Sequence, residues 1–427
     1  MRWILPLVFL TACAPTVSRQ AEPDLDRARR ILRETPLIDG HNDLPWAIRE
    51  SRTAPRDVDA YDLRKHTAGH TDLDRLREGM VSGQFWSIYI PGEIADSGYA
   101  RMQLEQIDIA RRVIEKYPDK LKWALTAADL RRAHKEGKIG SMLGLEGGHA
   151  IENSLGALRV YYDLGARYMT LTHNVTTDWA DAALDSAKHH GLTEFGKEVV
   201  REMNRMGMLV DLSHVSPATM SDALDVSAAP VIFSHSGALA VVNHKRNVPD
   251  EILKRVPANG GVVMVPFVTA FVSPQVAAYS ADIERLEADL RERHRTDTVA
   301  IRREIREWRT AHPAPKAVIS QVVAQIEYVR QIAGVDNVGI GGDFDGITDV
   351  VVGLEDVSKY PALFAELAHR GWSDDDLRKL AGENILRALE RAEQVSANLK
   401  KSRGPSTRTI AELDRPPRPA RRPRALR

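Results

Sequence analysis

Six apolar segments of the sequence each lead into a residue whose side chain can bind a metal ion or carry a proton. In chain order these residues are His41 with Asp43, Glu146, His173, His214, His235 and Asp343. Segments of this length with β-branched residues are typical of buried parallel strands. Because the C-terminal ends of the strands of a (β/α)8 barrel converge on one face, residues far apart in the sequence would meet in one pocket. The pattern therefore indicates a metal-dependent enzyme.

The first two of these segments end in carboxylates. His41 and Asp43 lie two positions apart at a strand end, so the period of a strand points both side chains toward one ion. One histidine with one carboxylate suits zinc or a similar metal, although a surface loop explains a His-x-Asp sequence equally well. Glu146 ends a buried segment, where an unpaired charge is costly. It is either paired with an arginine or a metal ligand, and its two oxygens could bridge two ions.

Three of the later apolar segments lead into a histidine. His214 and His235 each follow an apolar run and a serine. A single histidine of this kind is more often a hydrogen-bonded core residue, but two on adjacent predicted strands favour a metal site. His173 is a third case that need not be a ligand, because an imidazole beside a metal can also stabilise an oxyanion.

Two further residues are candidates for proton transfer and substrate binding. Asp343 ends the last predicted strand and is a candidate acid or base, with Asp345 as the alternative. Arg246 follows the sixth predicted strand, and an arginine fork suits a substrate carboxylate. The alternative for Arg246 is an ordinary surface arginine, which spacing alone does not exclude.

The elements that must position these residues can be counted along the chain. Strand-like segments occur at 37–41, 84–90, 140–146, 167–173, 208–214, 230–235, 261–267 and 338–343. Helical patterns lie between most of them, which is typical of parallel βαβ units. The sequence therefore predicts an α/β fold, a (β/α)8 TIM-type barrel of the metal-dependent hydrolase kind. The Arg- and Glu-rich residues 280–312 are interpreted as a charged helical insertion between the seventh and eighth strands, most simply a solvated surface helix.

The two ends of the chain differ from its centre. Residues 25–400 are assigned to the catalytic barrel and residues 14–24 to a polar tether. Residues 401–427 contain five prolines, nine Lys or Arg and two Asp or Glu, a composition that predicts disorder. The whole chain has no net charge and gives no indication of a nucleic-acid partner.

Residues 1–13 are predicted to be a lipoprotein signal peptide. An apolar stretch too short to span a bilayer follows Arg2, and residues 10–13 read Leu-Thr-Ala-Cys, similar to a bacterial lipobox. Cys13 is the only cysteine, which excludes a disulfide within the chain and suits a lipid anchor; an ordinary secretory signal is the alternative. Because Ala14 follows the cysteine, we expect a periplasm-facing lipoprotein of the bacterial cell envelope, anchored in the outer membrane.

The motifs around the candidate residues resemble those of the membrane (renal-type) dipeptidase family of zinc metallopeptidases. They read DGHND at 39–43, EGG at 146–148, LTHN at 171–174, DLSH at 211–214, SHS at 234–236, RNVPD at 246–250 and GGDFDG at 341–346. The resemblance implies two zinc ions per chain. In that arrangement His41 and Asp43 hold the first ion, His214 and His235 hold the second, and Glu146 bridges both.

The resemblance also implies a mechanism and a substrate. A water or hydroxide shared by the ions attacks the peptide carbonyl, and His173 helps to bind and stabilise the oxyanion. Asp343 binds the free amine and transfers the proton, while Arg246 binds the C-terminal carboxylate. Reading both ends of the substrate restricts such an enzyme to dipeptides, both L–L and L–D. Members of the family are often homodimers.

Two other interpretations stay open on the sequence. One is an amidohydrolase-like barrel that acts on N-acyl amino acids or lactones. Such barrels commonly begin with His-x-His, whereas this chain has His41 and Asp43 at that place. The other is a non-catalytic envelope lipoprotein that keeps the barrel as a binding module, and the presence of all the candidate ligands argues against it.

Overall fold

The chain forms a closed barrel of parallel strands in its computed structural model, which describes residues 22–94 and 98–414. The strands of the described residues are β1 Leu37–Asn42, β2 Val81–Ser87, β3 Leu121–Trp123, β4 Ile139–Glu146, β5 Ala166–Thr170, β6 Leu209–Asp211, β7 Val231–Phe233, β8 Val262–Val265 and β9 Val338–Ile340. They pair in parallel in the order β2-β1-β9-β8-β7-β6-β5-β4-β3, and β2 also pairs with β4. The β2–β4 pairing closes a barrel of eight strands and confirms the predicted (β/α)8 TIM-type fold.

Strand β3 was not predicted from the sequence. It pairs only with the first residues of β4, Ile139 to Ser141, and lies outside the closed barrel. Its three residues are too few to show the alternation or the apolar run that marks a strand in a sequence. The seventh and eighth predicted strands therefore correspond to β8 and β9.

Helices surround the barrel. They are α1 Asp24–Glu34, α2 Leu44–Arg49, α3 Leu73–Glu78, α4 Tyr99–Lys116, α5 Ala127–Lys135, α6 Leu155–Asp163, α7 Glu194–Met206, α8 Pro217–Val226, α9 Asp250–Leu253, α10 Val256–Asn259, α11 Thr269–Val272, α12 Pro274–His294, α13 Thr298–Ala311, α14 Ile319–Ala333, α15 Tyr360–His369, α16 Asp374–Arg378, α17 Asn384–Ser402 and α18 Ile410–Leu413. Local signals set several ends. The Thr193 hydroxyl accepts a bond from the Gly196 N–H at the start of α7, and Gly207 ends that helix with a left-handed backbone.

The barrel interior is filled with apolar side chains and closed by α17 at the N-terminal ends of the strands. Leu386 of α17 belongs to the same buried cluster as Ile232 and Met264 of the barrel. At Gly144 a Cβ atom would lie 2.0 Å from Cζ of Tyr168, so only glycine allows the tyrosine ring to occupy the interior. The candidate site lies at the opposite end of the barrel, at the C-terminal ends of the strands.

The charged insertion forms two helices between β8 and β9. Helix α12 begins at Pro274, before the predicted start at residue 280, and packs against α13. The rings of Tyr279 and Trp308 lie 5.3 Å apart between the two helices. Because α11, which precedes α12, carries Phe271 of the site described below, the insertion begins at the mouth of the barrel.

Residues 401–414 do not fit the disorder predicted from residue 401. The segment lies along α7, where Arg403 pairs with Glu198 and the Ser406 N–H donates to buried Glu202. The Asp414 carboxylate accepts bonds from the Thr193 hydroxyl at 2.7 Å and from the Phe195 N–H at 3.0 Å. Composition alone predicted disorder because it does not show that these charged residues find partners on a helix remote in sequence.

The rest of both predicted end segments lies outside the described residues. These undescribed residues are 1–21, which include the predicted signal peptide with Cys13 and most of the predicted tether, and 415–427. Within the described ranges, no helix combines the length and apolar character needed to cross a membrane.

Candidate metal centre

The side chains singled out in the sequence meet at the C-terminal end of the barrel. His41 lies in β1 and Glu146 is the last residue of β4, while Asp43, His173, His214, His235 and Asp343 follow their strands by one to three residues, and Arg246 lies in the longer loop after β7. Strands β5 to β9 are shorter than predicted because the chain turns before it reaches these residues, whereas β1 and β4 are slightly longer than predicted. His214 and Asp343 adopt left-handed backbone angles, with φ of 68° and 62°, that are uncommon for residues with a side chain.

Glu146 divides the centre into two groups of ligands. Its Oε2 atom lies 3.3 Å from His41 Nε2, which is also 3.2 Å from Asp43 Oδ2. Its Oε1 atom lies 3.1 Å from His214 Nε2 and 3.5 Å from His235 Nε2. We refer to His41, Asp43 and Glu146 Oε2 as the first half-site, and to His214, His235 and Glu146 Oε1 as the second half-site.

Hydrogen bonds fix the tautomers of the two histidines in the second half-site. His214 Nδ1 lies 3.0 Å from the amide oxygen of Asn174, which only accepts, so Nδ1 carries the proton. The Ser234 hydroxyl donates to Asp211 Oδ2 at 2.7 Å and therefore accepts the bond that joins it to His235 Nδ1 at 2.8 Å. Both Nε2 atoms consequently carry a lone pair.

These lone pairs point at each other. The Nε2 atoms of His214 and His235 are 2.9 Å apart, and Glu146 Oε1 is close to both. Three acceptors at this separation repel unless a cation lies among them, since no proton remains for the atoms to share. Burial, together with Arg246, also holds the pKa of both histidines well below the ordinary value, so both rings are neutral, the form that ligates metals.

The first half-site attracts positive charge. His41 Nδ1 lies 2.9 Å from the Tyr168 hydroxyl, while its Nε2 atom is buried without a hydrogen-bond partner and faces carboxylate oxygens of Asp43 and Glu146. Burial disfavours a charged ring, but the neighbouring negative charges outweigh it and raise the pKa of His41 well above the ordinary value. Three groups of side chains could hold a metal ion: His41, Glu146 and His235; Glu146, His173 and His214; and His41, Asp43 and Asp343. Together they include every residue of both half-sites, whose nitrogen and carboxylate donors fit metal ions.

Asp43, Glu146, His214 and His235 of the half-sites line a cavity of ≈ 410 Å³, a size typical of small-molecule sites. His173 and Asp343 line this cavity beside the ligands. His173 Nε2 is 3.9 Å from Glu146 Oε1, and Asp343 Oδ1 is 3.9 Å from His41 Nε2. Burial, with Asp43 and Glu146 adding like charge, raises the pKa of Asp343 well above its usual range. The surroundings of Asp343 therefore favour its protonated form.

Arg246 supplies the positive charge of the cavity. Its side chain is buried, its Nη1 atom donates to the Ser236 hydroxyl at 3.4 Å, and its guanidinium lies over the Phe271 ring at 5.3 Å. Among the described residues, no carboxylate lies within 4.0 Å of the guanidinium. Burial lowers its pKa to about 10, so the group is still charged at neutral pH. A buried cation without an ion pair fits an anionic group of a ligand.

Several residues of the cavity were not predicted from the sequence. They include the wall residues Trp46, Tyr89, Leu184, His244, Val268, Phe271 and Ile347. These residues follow no period and lie mostly in loops, so no local signal marked them. The outer partners Asp211 and Ser234 had a usable signal, because each stands within three residues of a candidate ligand.

The structure separates Asp343 from its neighbour Asp345. Asp343 lines the cavity, whereas the Asp345 carboxylate accepts a bond from the His70 N–H at 2.6 Å outside it. The position of Asp343 in the cavity favours it over Asp345 as the residue next to a substrate.

Comparisons with known proteins agree with this arrangement. Residues 25–403 match the membrane dipeptidase family, peptidase family M19. The probable dipeptidase PvdM from Pseudomonas aeruginosa is 25% identical, with a TM-score of 0.75 over 87% of this chain and 99% of that chain. Dipeptidase AC, a metallo peptidase of family M19, is 26% identical, with a TM-score of 0.69 over 84% of this chain and 98% of that chain.

A third solved structure carries a ligand. It is a metallo peptidase from Rhodobacter sphaeroides liganded with a phosphinate mimic of the dipeptide L-Ala-D-Ala. It is 25% identical, with a TM-score of 0.69 over 84% of this chain and 99% of that chain. The family match includes every strand and every residue of both half-sites. The chain therefore belongs to the membrane dipeptidases, peptidase family M19.

Proposed function

We propose that the protein is a zinc-dependent dipeptidase with two metal ions per chain, bridged by Glu146. A metal-dependent dipeptide hydrolase follows from the family, whereas the identity and number of the ions are the proposal. The observation that carries it is the convergence of His214 Nε2, His235 Nε2 and Glu146 Oε1, three acceptors at 2.9 to 3.5 Å, beside a separate set around His41. Two sets of acceptors on opposite oxygens of one carboxylate support two ions.

Zinc suits the donors of both half-sites. Each offers imidazole nitrogen and carboxylate oxygen, and no cysteine takes part. When bound, such ions supply an activated water with a pKa lowered toward about 7 and polarise the carbonyl of the substrate. Outer partners hold the ligands in place, since Ser87 donates to Glu146 Oε2 at 2.9 Å and Asn174 accepts from His214.

The residues of the chain that touch the substrate account for its length. Arg246 binds the C-terminal carboxylate, and Asp343 on another side of the cavity binds the free amine and carries the proton. His173 stabilises the negative charge that develops on the carbonyl oxygen. Because one residue binds each end of the substrate, a tripeptide, whose ends lie farther apart, should not engage both residues at once.

We further propose that the second residue of the dipeptide is accepted as either the L or the D form. The support is the Rhodobacter sphaeroides relative, which binds a mimic of L-Ala-D-Ala.

The N-terminal anchor is proposed from the sequence. Lipidation of Cys13 would hold the enzyme in the bacterial envelope, facing the periplasm. Incorporation of labelled palmitate into the protein, and its loss in Cys13→Ser, tests this. Labelling that persists in Cys13→Ser would contradict it.

The function is tested with the protein lacking residues 1–13. Metal per chain is measured together with hydrolysis of L-Ala-L-Ala, L-Ala-D-Ala and tri-L-alanine, with and without a chelator. We expect two zinc ions, cleavage of both dipeptides that the chelator abolishes, and no cleavage of the tripeptide. Asp343→Asn should lose turnover and keep its metal, while Asp349→Asn, an exposed aspartate of the same loop, serves as the control. Two ions without dipeptide cleavage would refute the proposed substrate.

A further inference from the structure

The loop that carries Asp343 has an unusual backbone. Asp343 and Asp345 have φ angles of 62° and 65°, both in the left-handed region. Few residues with a side chain adopt this conformation, and aspartate is one of those that do so more readily. Two such aspartates within three positions direct attention to the contacts that hold the turn.

One side of the turn is held by the first half-site. The Asp343 N–H donates to the His41 carbonyl at 3.1 Å, and the Asp43 N–H donates to the Phe344 carbonyl at 2.9 Å. These bonds join the loop to the end of β1, which carries two of the ligands. These two bonds do not involve Asp345, on the far side of the turn, which is held by another segment.

His70 holds that far side through two reciprocal hydrogen bonds. The His70 N–H donates to Asp345 Oδ1 at 2.6 Å, and the Asp345 N–H donates to His70 Nδ1 at 3.0 Å. Since Nδ1 accepts, the ring proton lies on Nε2 and the ring is neutral. The Phe344 ring lies 5.8 Å from the His70 ring. We call this pair of hydrogen bonds the His70–Asp345 clamp.

The surroundings of the clamp show that it is a close fit. A Cβ atom on Gly69 would lie 2.2 Å from Asp345 Oδ1, so the segment before His70 approaches the carboxylate as only glycine allows. The Asp345 side chain is 1% exposed and no described lysine or arginine pairs with it. A buried carboxylate without a cation is costly, and this one takes no part in either half-site or in the cavity.

We propose that Asp345 and His70 are positioning residues that fix the turn so that the Asp343 carboxyl faces the substrate cavity beside His41. The inference rests on the proposed role of Asp343. Its loop is then held between the end of β1 on one side and the segment before α3 on the other. Loss of the clamp would leave the metal ligands in place and lower the fraction of enzyme in which Asp343 is aligned to bind the free amine and to transfer the proton.

The test is steady-state hydrolysis of L-Ala-L-Ala by the purified protein. Asp345→Ala should lower kcat by about 10- to 100-fold, the usual effect of losing an outer partner, and raise KM, with bound metal unchanged. Asp345→Asn keeps an oxygen that accepts from the His70 N–H and should recover most of kcat. His66→Ala, on the same segment with a side chain that is 79% exposed, is the matched control and should behave as wild type.

A double mutant separates positioning from a general structural role. If Asp345 acts through Asp343, then Asp345→Ala should cost no further kcat when added to Asp343→Asn. A further loss that multiplies the two single effects would overturn the clamp while leaving the role of Asp343 intact. Full turnover by Asp343→Asn would instead refute the proposed role of Asp343, and the clamp with it. Should Asp345→Ala fail to fold, His70→Ala removes the Nδ1 acceptor and is expected to lower kcat in the same direction.

Discussion

The two half-sites share Glu146 but differ in charge. The first combines one imidazole with the Asp43 carboxylate, whereas the second offers two imidazoles and lies nearer the charge of Arg246, which depresses both of their pKa values. A proton at His41 is favoured by the neighbouring carboxylates, while protons at His214 and His235 are disfavoured. The same electrostatic potential acts on a metal ion. We therefore expect the first half-site to retain its ion more tightly and the second to bind a more weakly held and more electrophilic one.

The outer partners of the histidines differ as well. His41 contacts a tyrosine hydroxyl and His214 a neutral amide, but His235 is connected through Ser234 to the Asp211 carboxylate. Asp211 is fully buried and accepts four hydrogen bonds, from Thr170, Ser213 and both the hydroxyl and the N–H of Ser234. The second half-site, whose only direct carboxylate among its three ligands is the shared Glu146, thus has a further carboxylate one residue further out.

The largest effect is expected from the shared ligand. Glu146→Gln replaces a carboxylate oxygen of one half-site by an amide nitrogen and removes the charge from both. If removing this charge costs the binding of the ions as much as removing one partner costs a buried ion pair, about 3–5 kcal/mol, then metal binding and with it activity should fall by at least about 10²-fold. Metal content by mass spectrometry and dipeptide turnover check this. The exposed Glu152→Gln is the control, and two ions retained by Glu146→Gln would show that Glu146 is not shared.

The second prediction concerns the order in which the ions leave. A chelator should remove metal from the wild type in two phases, the fast phase from the second half-site. Asp43→Asn neutralises the first half-site and should bring the two phases together, because the charge difference between the half-sites is removed. A colorimetric chelator assay follows both phases. Two unchanged phases in Asp43→Asn would mean that Asp43 does not set the difference.

A smaller effect is expected from the outer partner of His235. Asp211→Asn should weaken metal binding by about 10- to 100-fold in the second half-site alone, as is usual for such partners. The fast phase of metal loss should accelerate and the slow phase should stay the same. Tyr168→Phe, which removes the partner of His41, is the matched variant and should affect only the slow phase. Equal changes in both phases would argue against independent half-sites.

The smallest effect on activity is expected from the hydrogen bonds that hold β1 through Asp39. Asp39 accepts bonds from the Tyr360 hydroxyl at 2.7 Å and from the Gly342 N–H at 2.7 Å, and so connects β1, α15 and the loop after β9. Tyr360→Phe leaves one buried carboxylate oxygen without its donor and should lower the free energy of unfolding by about 1–3 kcal/mol. Urea unfolding measures this change. Turnover should change little, and a large loss of turnover at unchanged stability would place Tyr360 closer to the chemistry.

The barrel and the ligands were predictable because both have local signals. A buried parallel strand is a short apolar run, and His41 and Glu146 stand within or at the end of such runs. The separation of Asp343 from Asp345 was not predictable, since it depends on two left-handed residues in a turn that the sequence suggested to be a strand end. Which of two aspartates faces the cavity is decided by contacts with His70, a residue remote in the sequence.

Other features depend on partners that no local pattern reveals. Strand β3 forms by pairing with the first residues of β4. The segment that ends at Asp414 is held by hydrogen bonds to Thr193 and Phe195 at the start of α7. Likewise, Arg246 could have been a surface arginine in the sequence. Its burial beside Phe271, without an ion pair to any described carboxylate, is a property of the folded barrel.

The central claim is that one carboxylate serves two metal half-sites. Anomalous diffraction at the zinc edge from crystals of the protein grown with zinc tests it most directly. The account predicts two peaks on opposite sides of the Glu146 carboxylate, one beside His41 and Asp43 and a weaker one beside His214 and His235. A single peak shared by all the ligands, or a peak away from Glu146, would contradict it.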